Sequence, residues 1–315
     1  MANQLFPHND GVDRRGFLHC MAWAGSGMLW TLSGGLPAAR VFGQDTRKAG
    51  PNDFSFVQIS DSHIGFGKEP NKDVVGTLQA VVAKINALPQ LPAFVLHTGD
   101  LTHLAKAEEF DTVAEVLKGV KAKVLYVPGE HDFDGDDNKL YRQRFGKHTL
   151  GTGWYSFDHN GAHFIGLVNV ANAKSGGMAG LGLIGNEQLQ WLAKDLARVT
   201  NSTPVVVFAH VPLWTVYEKW GWGTQDAERA LELLKRFGSV TILNGHIHQV
   251  MQKVEGKVVF HTARSTAFPQ NEPGKGGPGP IRDIPASRLR GVLGVTTVAY
   301  AENNGSLAIA DPTLE

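Results

Sequence analysis

Cysteine is almost absent from this chain, and its rarity excludes a whole class of chemistry. Of the 315 residues only Cys20, in the N-terminal segment, is a cysteine. The remainder of the chain can therefore form no disulfide bond. Histidine, in contrast, is abundant, with 13 residues. This balance favours imidazole and carboxylate chemistry over thiol chemistry.

The chain also lacks an excess of charge of either sign. Lys and Arg number 30, Asp and Glu also number 30, and the formal net charge at pH 7 is zero. Without a basic surplus, nothing predicts nucleic acid as an obligatory partner. A neutral protein can still bind anionic ligands where metal ions supply positive charge locally.

No apolar run is long enough for a permanent membrane span, but the N-terminus carries an export pattern. Arg14 and Arg15 precede a moderately apolar, glycine-interrupted stretch over residues 21–36, and the small-residue segment 37–40 follows. This order is typical of a twin-arginine signal peptide. We predict such a signal over residues 1–43 and a hydrolase domain over residues 44–315. A chance arginine pair in a disordered terminus is the alternative.

The predicted signal has two consequences for the cell biology of the protein. It implies a periplasmic or secreted location, with the twin-arginine export machinery as a partner. That route usually carries folded, often metal-loaded proteins. Because His19 precedes Cys20, where a lipoprotein signal requires a small residue, lipidation is not expected.

Short apolar runs alternate with amphipathic stretches after the signal. Five runs rich in β-branched or aromatic residues are predicted to be buried strands: residues 54–60, 93–97, 123–127, 204–209 and 240–243. Four amphipathic stretches are predicted to be helices: residues 73–88, 106–118, 186–199 and 226–237. Asn186 and Asp226 stand where an N-cap is expected.

Three pairs of alternating segments later in the chain predict antiparallel hairpins. Their turns contain Asn160-Gly161, Gly256 and Asn304-Gly305, and such residues supply the positive φ angles of hairpin turns. The Gly- and Pro-rich residues 271–285 predict a flexible loop. Together these patterns indicate an α/β fold, a four-layer α/β/β/α sandwich with two mixed sheets flanked by helices.

Metal-capable side chains stand in the loop after each of the five predicted buried strands. In an open α/β fold such loops collect beyond the carboxyl ends of the strands. The candidate ligands are Asp61, His63, Asp100, Glu130, His210, His246 and His248. Asp61 and His63 are two residues apart, and so are His246 and His248. In an extended segment the two side chains of each pair would point to the same side. Glycines before Asp100, Glu130 and His246 are predicted to let the backbone turn sharply at the metal.

This ligand mixture predicts a particular kind of metal site. Two cations about 3.5–4 Å apart repel each other, and a shared carboxylate relieves that repulsion. Asp100 is the natural bridge because it is the only carboxylate in its loop. Imidazoles and carboxylates together suit Fe, Mn, Zn or Co better than Mg or Ca. The sequence thus predicts two divalent or trivalent ions of these elements.

At this point the chain resembles the calcineurin-like metallophosphoesterase family, in its phosphodiesterase-like branch. The matching motifs run in the family's order over residues 54–262: Asp61-x-His63, Gly99-Asp100, Gly129-Glu130-His131-Asp132, His210 and Gly245-His246-x-His248. The resemblance implies that Asp61, His63, Asp100 and His248 hold one metal. It implies that Asp100, Glu130, His210 and His246 hold the other.

The resemblance also implies a reaction. A metal-bound hydroxide would attack the phosphorus of a small phosphate ester in line. His131 would stabilise or protonate the leaving oxygen, and Asp132 would orient His131. The family has Asn where this chain has Glu130. The extra negative charge weakens attraction for a dianionic monoester, which favours diesters such as cyclic nucleotides or glycerophosphodiesters.

Other functions and other residues remain alternatives. The protein could be a phosphomonoesterase, a protein phosphatase, or a non-catalytic, metal-dependent binder of phosphorylated ligands. His97 and His103 could support the ligands from behind or simply end a strand and start a helix. Several further residues could serve a site or merely pack or face solvent: His261 beside Arg264, the aromatic set Trp214, Tyr217, Trp220 and Trp222, and the acidic set Asp134, Asp136 and Asp137.

Overall fold

The computed structural model describes residues 50–135, 137–170, 180–302 and 306–315. It also describes the backbone of four short strands: β1 (Trp30–Ser33), β2 (Leu36–Ala39), β8 (Ala173–Lys174) and β9 (Gly177–Met178). The chain divides into two units, residues 1–48 and 49–315. In the first unit β1 and β2 pair antiparallel. The rest of the predicted signal lies outside the described residues, and its boundary stays a prediction.

The second unit contains the strands and helices of an α/β domain. Its other strands are β3 (Phe54–Ile59), β4 (Phe94–His97), β5 (Lys123–Tyr126), β6 (Tyr155–His159), β7 (Ala162–Gly166), β10 (Val205–Phe208), β11 (Val240–Asn244), β12 (Gln252–Glu255), β13 (Val258–Thr262), β14 (Thr296–Ala301) and β15 (Ser306–Ala310). Its helices are α1 (Val74–Asn86), α2 (Ala107–Leu117), α3 (Lys139–Phe145), α4 (Asn186–Leu196), α5 (Ala227–Leu234) and α6 (Ala286–Leu289). Single 3₁₀ turns cover Glu130–Asp132 and Glu218–Trp220.

Two mixed sheets organise these strands. The first has the order β15-β14-β3-β4-β5, in which β3, β4 and β5 are parallel and β14 is antiparallel to both of its neighbours. The second has the order β12-β13-β11-β10-β7-β6, with four parallel central strands and an antiparallel strand at each edge. The predicted pair of mixed sheets is confirmed.

Three layers of apolar side chains show how the sheets and helices stack. Because side chains alternate along a strand, β3 buries Phe56 on one face and Val57 and Ile59 on the other. Phe56 packs between the sheets, 5.5 Å edge-to-face from Phe164 of β7. Val57 and Ile59 join the core beneath α1 and α2, and a third core lies between the second sheet and the helices α4 and α5. The predicted four-layer α/β/β/α sandwich is therefore confirmed.

The helix starts differ from the prediction in detail. Asp73 caps α1 by accepting a hydrogen bond from the Gly76 N–H at 2.8 Å. Asn186 is the first residue of α4 and not its cap, because Gly185 holds that position. Asp226 is the N-cap residue of α5, but its carboxylate accepts the N–H groups of Ile184 and Gly185. Asp226 therefore ties the start of one helix to the start of another.

The predicted hairpins around Asn160-Gly161 and Gly256 are confirmed. Asn160 and Gly161 have φ angles of 43° and 81°, as a two-residue hairpin turn requires. Residues 303–305, the turn of the third predicted hairpin, lie outside the described residues, although β14 and β15 pair antiparallel as expected. Within the described part of the chain, no helix is both long and apolar enough to cross a membrane.

Candidate metal centre

The seven candidate ligands converge at one edge of the two sheets. Asp61 follows β3, Asp100 follows β4 and Glu130 follows β5 in the first sheet. His210 follows β10 and His246 follows β11 in the second sheet. All seven are buried, with relative exposures of 0 to 7%. The central spatial prediction from the sequence is thus confirmed.

A first group of metal-capable atoms is formed by Asp61, His63 and His248. The Nε2 atom of His248 lies 3.2 Å from Asp61 Oδ1 and 3.2 Å from Nε2 of His63. These atoms come from both sheets, so the group closes the gap between them. One carboxylate and two imidazoles around one point suit a transition metal.

A second group is formed by Glu130, His210 and His246. One oxygen of Glu130 lies 2.8 Å from His210 Nε2, and the other lies 2.8 Å from His246 Nδ1. The carboxylate therefore stands between the two imidazoles and faces both. The longer side chain of Glu130, where the family resemblance implies Asn, thus brings both carboxylate oxygens within 2.8 Å of an imidazole nitrogen.

Asp100 lies between the two groups. Its Oδ2 atom is 3.3 Å from His210 Nε2 and 3.5 Å from His63 Nε2. Its Oδ1 atom accepts the backbone N–H of His131 at 2.9 Å, which fixes the carboxylate plane. A single oxygen within reach of both groups is the arrangement that a bridging carboxylate needs.

Several buried atoms in the cage lie close together, yet they meet no hydrogen-bond geometry within the part of the chain that the structure describes. They are Glu130 Oε2, His210 Nε2 and both ring nitrogens of His246. Buried polar atoms normally find partners, so this concentration indicates a ligand. His210 Nδ1 donates to the Thr98 carbonyl at 2.7 Å, and His248 Nδ1 donates to the Phe268 carbonyl at 2.6 Å. In its neutral form each of these two imidazoles therefore directs an Nε2 lone pair at the cage, and the donor set fits metal ions.

The ligand loops have an unusual backbone. Among the described residues, seven that are not glycine have a positive φ angle, and five of these are candidate ligands: Asp61, His63, Asp100, His246 and His248. Asp and His are among the residues that tolerate this left-handed region best. The prediction that each two-residue pair lies on an extended segment is therefore wrong. Left-handed turns bring the paired side chains together instead.

Glycine precedes three ligands for more than one reason. Gly99 has a φ of 98° and turns the chain, as predicted. Gly129 has a φ of −103°, so the predicted sharp turn is wrong there. A Cβ atom on Gly129 would overlap the Asp100 carboxylate, and one on Gly245 would overlap Ser60 and Asp61. At these two positions glycine allows the ligand loops to approach each other closely.

His131 reaches the edge of the cage, but Asp132 does not orient it. The Nδ1 atom of His131 donates to the carbonyl of His103 at 2.7 Å. The Asp132 carboxylate instead accepts the N–H groups of Leu101, Thr102 and Gly129 and the Thr102 hydroxyl, at 2.9 to 3.1 Å. The predicted catalytic role of Asp132 is wrong in this respect. Its oxygens hold the loops after β4 and β5 together.

His103 and His97 both support the cage, each in its own way. The His103 ring stacks on His131 at 5.0 Å and meets the edge of His63 at 5.5 Å. His97 places Nε2 2.8 Å from the Ser62 hydroxyl, between two ligands in sequence. Burial lowers the pKa of His97 to about 3, so it is neutral. Both residues act behind the ligands.

Sequence reasoning missed Glu109. This buried residue lies in the first turn of α2, and its Oε2 atom accepts the N–H groups of His103 and Leu104 at 3.2 and 2.8 Å. It therefore fixes the peptide whose carbonyl holds His131. A glutamate in a first helical turn is normally read as favourable to the helix dipole, so no signal in the sequence marked this one.

The remaining candidates that the structure describes contact residues outside the cage. His261 is fully buried and lies 3.0 Å from Asp311 and 3.1 Å from the Gln252 amide. Among the four aromatic residues after His210, Trp222 is 1% exposed and Trp220 packs on its edge at 5.1 Å. Asp137 pairs with Arg142 at 3.2 Å, and Asp136 lies outside the described residues.

The ionisation of the cage follows from burial and close opposite charges. Burial opposes ionisation of Asp61, but His248 and His210 outweigh it and lower the pKa of Asp61 to about 2. Burial also opposes protonation of His131, yet Asp100 and Glu130 raise its pKa above the ordinary value. Burial and the neighbouring Asp100 raise the pKa of Asp132 to about 7, against the three N–H groups that it accepts.

A layered α/β sandwich with a carboxylate and imidazole cage at its strand ends defines a dimetal hydrolase. The model of the calcineurin-like phosphoesterase family matches residues 54–250, and the chain belongs to this family. A probable glycerophosphodiester phosphodiesterase of Arcobacter nitrofigilis is 27% identical over 66% of this chain and 77% of its own length. A 3′,5′-cyclic-nucleotide phosphodiesterase of a Nostoc species is 23% identical over 68% of this chain and 79% of its own length.

Solved structures agree on the fold. A dimetal phosphatase from Danio rerio superposes with a TM-score of 0.56 at 14% identity, over 83% of this chain and 99% of its own. A purple acid phosphatase from yellow lupin superposes with a TM-score of 0.60 at 12% identity, over 85% of this chain and 52% of its own. The protein is accordingly a metal-dependent phosphoesterase of the calcineurin-like type.

Proposed function

We propose that this phosphoesterase hydrolyses small phosphodiesters, with cyclic nucleotides and glycerophosphodiesters as the favoured classes. Two ions of Fe, Mn, Zn or Co would be held by the two ligand groups. The observation that carries the proposal is the position of Asp100 Oδ2, 3.3 Å from His210 and 3.5 Å from His63. One carboxylate oxygen can thereby serve both groups.

The metals and the side chains would divide the reaction between them. When bound, the metal ions would supply a nucleophile at neutral pH and neutralise charge on the phosphate oxygens. His131 carries its Nδ1 proton toward the His103 carbonyl, so Nε2 is the nitrogen left for the substrate. Protonated at Nε2, His131 would hold the leaving oxygen and give it a proton.

Two observations favour diesters over monoesters. Glu130 adds a negative charge where the family has a neutral Asn, and both of its oxygens face the cage. A dianionic monoester would therefore meet more repulsion than a monoanionic diester. The relatives whose names specify phosphodiesterases align with about two thirds of this chain.

The test is a matched pair of esters with one leaving group. For protein with its metal content measured by elemental analysis, we expect a higher kcat/KM on methyl 4-nitrophenyl phosphate than on 4-nitrophenyl phosphate. Glu130→Asn should move the preference toward the monoester, by about tenfold if one charge is worth roughly 1.4 kcal/mol.

Two outcomes would overturn the proposal. A wild-type preference for the monoester would make the protein a phosphomonoesterase. If metal-loaded protein binds both esters but hydrolyses neither, it is a metal-dependent binding protein.

The proposal includes export by the twin-arginine route to the periplasm or the medium. Its support is the sequence alone, where Arg14 and Arg15 precede a moderately apolar stretch and small residues. A route that carries folded proteins suits a chain whose metal cage is assembled from five separate loops.

A further inference from the structure

A side cleft opens next to the metal centre. It has a volume of about 480 Å³, enough for a small organic group. Its lining residues are Phe66, Lys68, Glu69, Pro280, Arg282 and Asp283. One wall is the loop after β3, and the other is the loop that leads into α6.

The cleft begins one aromatic ring beyond His131. The Phe66 ring meets the edge of His103 at 5.3 Å, and His103 stacks on His131 at 5.0 Å. On its other side Phe66 packs against Phe268 at 4.3 Å, and Phe268 stacks on His63 at 4.8 Å. The rings of His103 and Phe66 thus connect His131 to the wall of the cleft.

The charges around the cleft sum to a positive value once Lys72, the partner of Glu69, is counted. The side chains of Lys68 and Arg282 are exposed and form no ion pair or hydrogen bond with another described residue, although the backbone of Lys68 pairs with that of Asn71. Glu69 is neutralised by Lys72, whose Nζ atom lies 2.6 Å from its carboxylate. The lining itself therefore holds two cations and two carboxylates, and Lys72 raises the local count to three cations against two carboxylates, a net charge of +1.

Hydrogen bonds fix both walls of the cleft. Asn71 donates its side-chain amide to the Ala267 carbonyl at 2.8 Å, which anchors the Phe66 wall. Ile281 donates its N–H to the Pro269 carbonyl at 3.0 Å in the opposite wall. The Gln270 amide donates to the backbone carbonyl of His246 at 2.9 Å. The second wall is thus tied directly to a ligand loop, and the cleft is preformed.

We infer that the side cleft receives the leaving alcohol of the diester, and that Lys68 and Arg282 select alcohols carrying an anionic group such as a carboxylate. This inference rests on the proposed diester hydrolysis. The P–O bond to the acidic alcohol breaks, and the oxygen of water forms a new bond to phosphorus. One proton of that water ends on the departing alkoxide. The products are a phosphate monoester and the free acidic alcohol.

The experiment compares two diesters that differ by one carboxylate. They are methyl 4-nitrophenyl phosphate and methyl 3-carboxy-4-nitrophenyl phosphate, hydrolysed by metal-loaded protein. We expect a KM about fivefold lower for the carboxylate substrate, as suits exposed ion pairing. The Lys68→Met, Arg282→Gln double variant should bring the ratio of the two KM values to about one. The Arg288→Gln control removes one positive charge from α6, outside the cleft, and should leave the ratio unchanged.

A binding measurement keeps the inference separate from the proposed function. Calorimetric titration compares 5-hydroxy-2-nitrobenzoate with 4-nitrophenol, the two leaving alcohols, at a pH where both phenols are neutral. Tighter binding of the benzoate to wild type, lost in the double variant, supports the cleft even if no diester is hydrolysed. Equal KM values and equal affinities in wild type would overturn the inference while leaving diester hydrolysis intact.

Discussion

Residue by residue, the chemistry of this site depends on how His131 is held. Its Nδ1 atom donates to a carbonyl that belongs to His103, and Glu109 fixes the peptide on either side of that residue. Glu109 is therefore a positioning residue that acts on His131 through the backbone of His103. Substitution of Glu109 should therefore lower kcat only for substrates whose leaving oxygen needs a proton.

Glu109→Ala should lower kcat by about tenfold or more on a glycerophosphodiester, whose alkoxide leaves poorly. It should change kcat much less on methyl 4-nitrophenyl phosphate, because nitrophenolate leaves without protonation. Glu109→Gln keeps an oxygen for the two N–H groups and should retain most of the activity. His131→Ala removes the proton donor itself and gives the largest decrease in kcat that Glu109→Ala can approach. Equal losses on both substrates would instead indicate general damage to the fold.

At this same scale, the identity of the ligands was predictable but the arrangement of their supports was not. Residue type and spacing are enough to predict Asp61 and His248 as candidate ligands. The partners of His131 and Asp132 depend on which backbone atoms two loops present to each other, and those loops are about 30 positions apart in sequence. Local pattern carries no information about that contact, so the sequence predicts the wrong partner for Asp132.

At the level of secondary-structure elements, the hairpin β6–β7 is attached to α4 by a buried histidine. His163 of β7 lies 2.7 Å from Asp158 and 2.9 Å from Asp195 of α4. Burial opposes its protonation, but the hydrogen bonds and charges of the two carboxylates outweigh burial and raise its pKa above 6.5. The protonated imidazole is thus the form that joins hairpin and helix.

The pH dependence of stability should show this attachment. A pKa raised on folding gives stability that is fully present below the unfolded value of about 6.5 and is lost as the pH rises through the folded value. His163→Gln should destabilise the protein by about 1–3 kcal/mol at acidic pH and by less at alkaline pH. Urea midpoints across this range measure the effect, with exposed His148→Gln as control. A difference in urea midpoint between wild type and variant that does not decrease as the pH rises would contradict this prediction.

Elements were predicted well where apolar periodicity marks them and less well where a side chain acts across elements. The strand at residues 54–60 ends one residue early, and the helix predicted over 226–237 is shorter than its pattern. Asp226 looked like a cap because capping residues precede apolar periodicity. Its carboxylate serves α4 instead, a tertiary contact that a local rule cannot see.

Across the whole molecule, three carboxylates and four imidazoles are buried in one cage between two sheets. Without cations the carboxylates of Asp61, Asp100 and Glu130 repel one another, so bound metal should stabilise the fold. Removing metal with a chelator should lower the Tm by about 5–10 °C. Asp100→Asn should reduce this response. Identical melting curves with and without metal would show that the cage binds no ion tightly.

The layered architecture was predictable because buried strands and amphipathic helices leave distinct periods in the sequence. The side-chain hydrogen bonds that join the two sheets could not be predicted from the sequence. His261 of β13 binds Asp311, which also accepts the Thr296 hydroxyl of β14 at 2.6 Å. This link joins the second sheet to the first, and its partners are 50 residues apart in sequence. Sequence leaves open whether His261 serves the site or packs, because no local pattern names its partner.

The left-handed backbone at five ligands affects how substitutions in this cage must be interpreted. Alanine is poorly suited to such φ angles, and each forced position costs about 1–2 kcal/mol. An alanine scan would therefore combine backbone strain with the loss of a metal bond and overstate the chemical contribution of each ligand. Asparagine, which accepts this conformation, is the cleaner replacement at Asp61, Asp100 and His246.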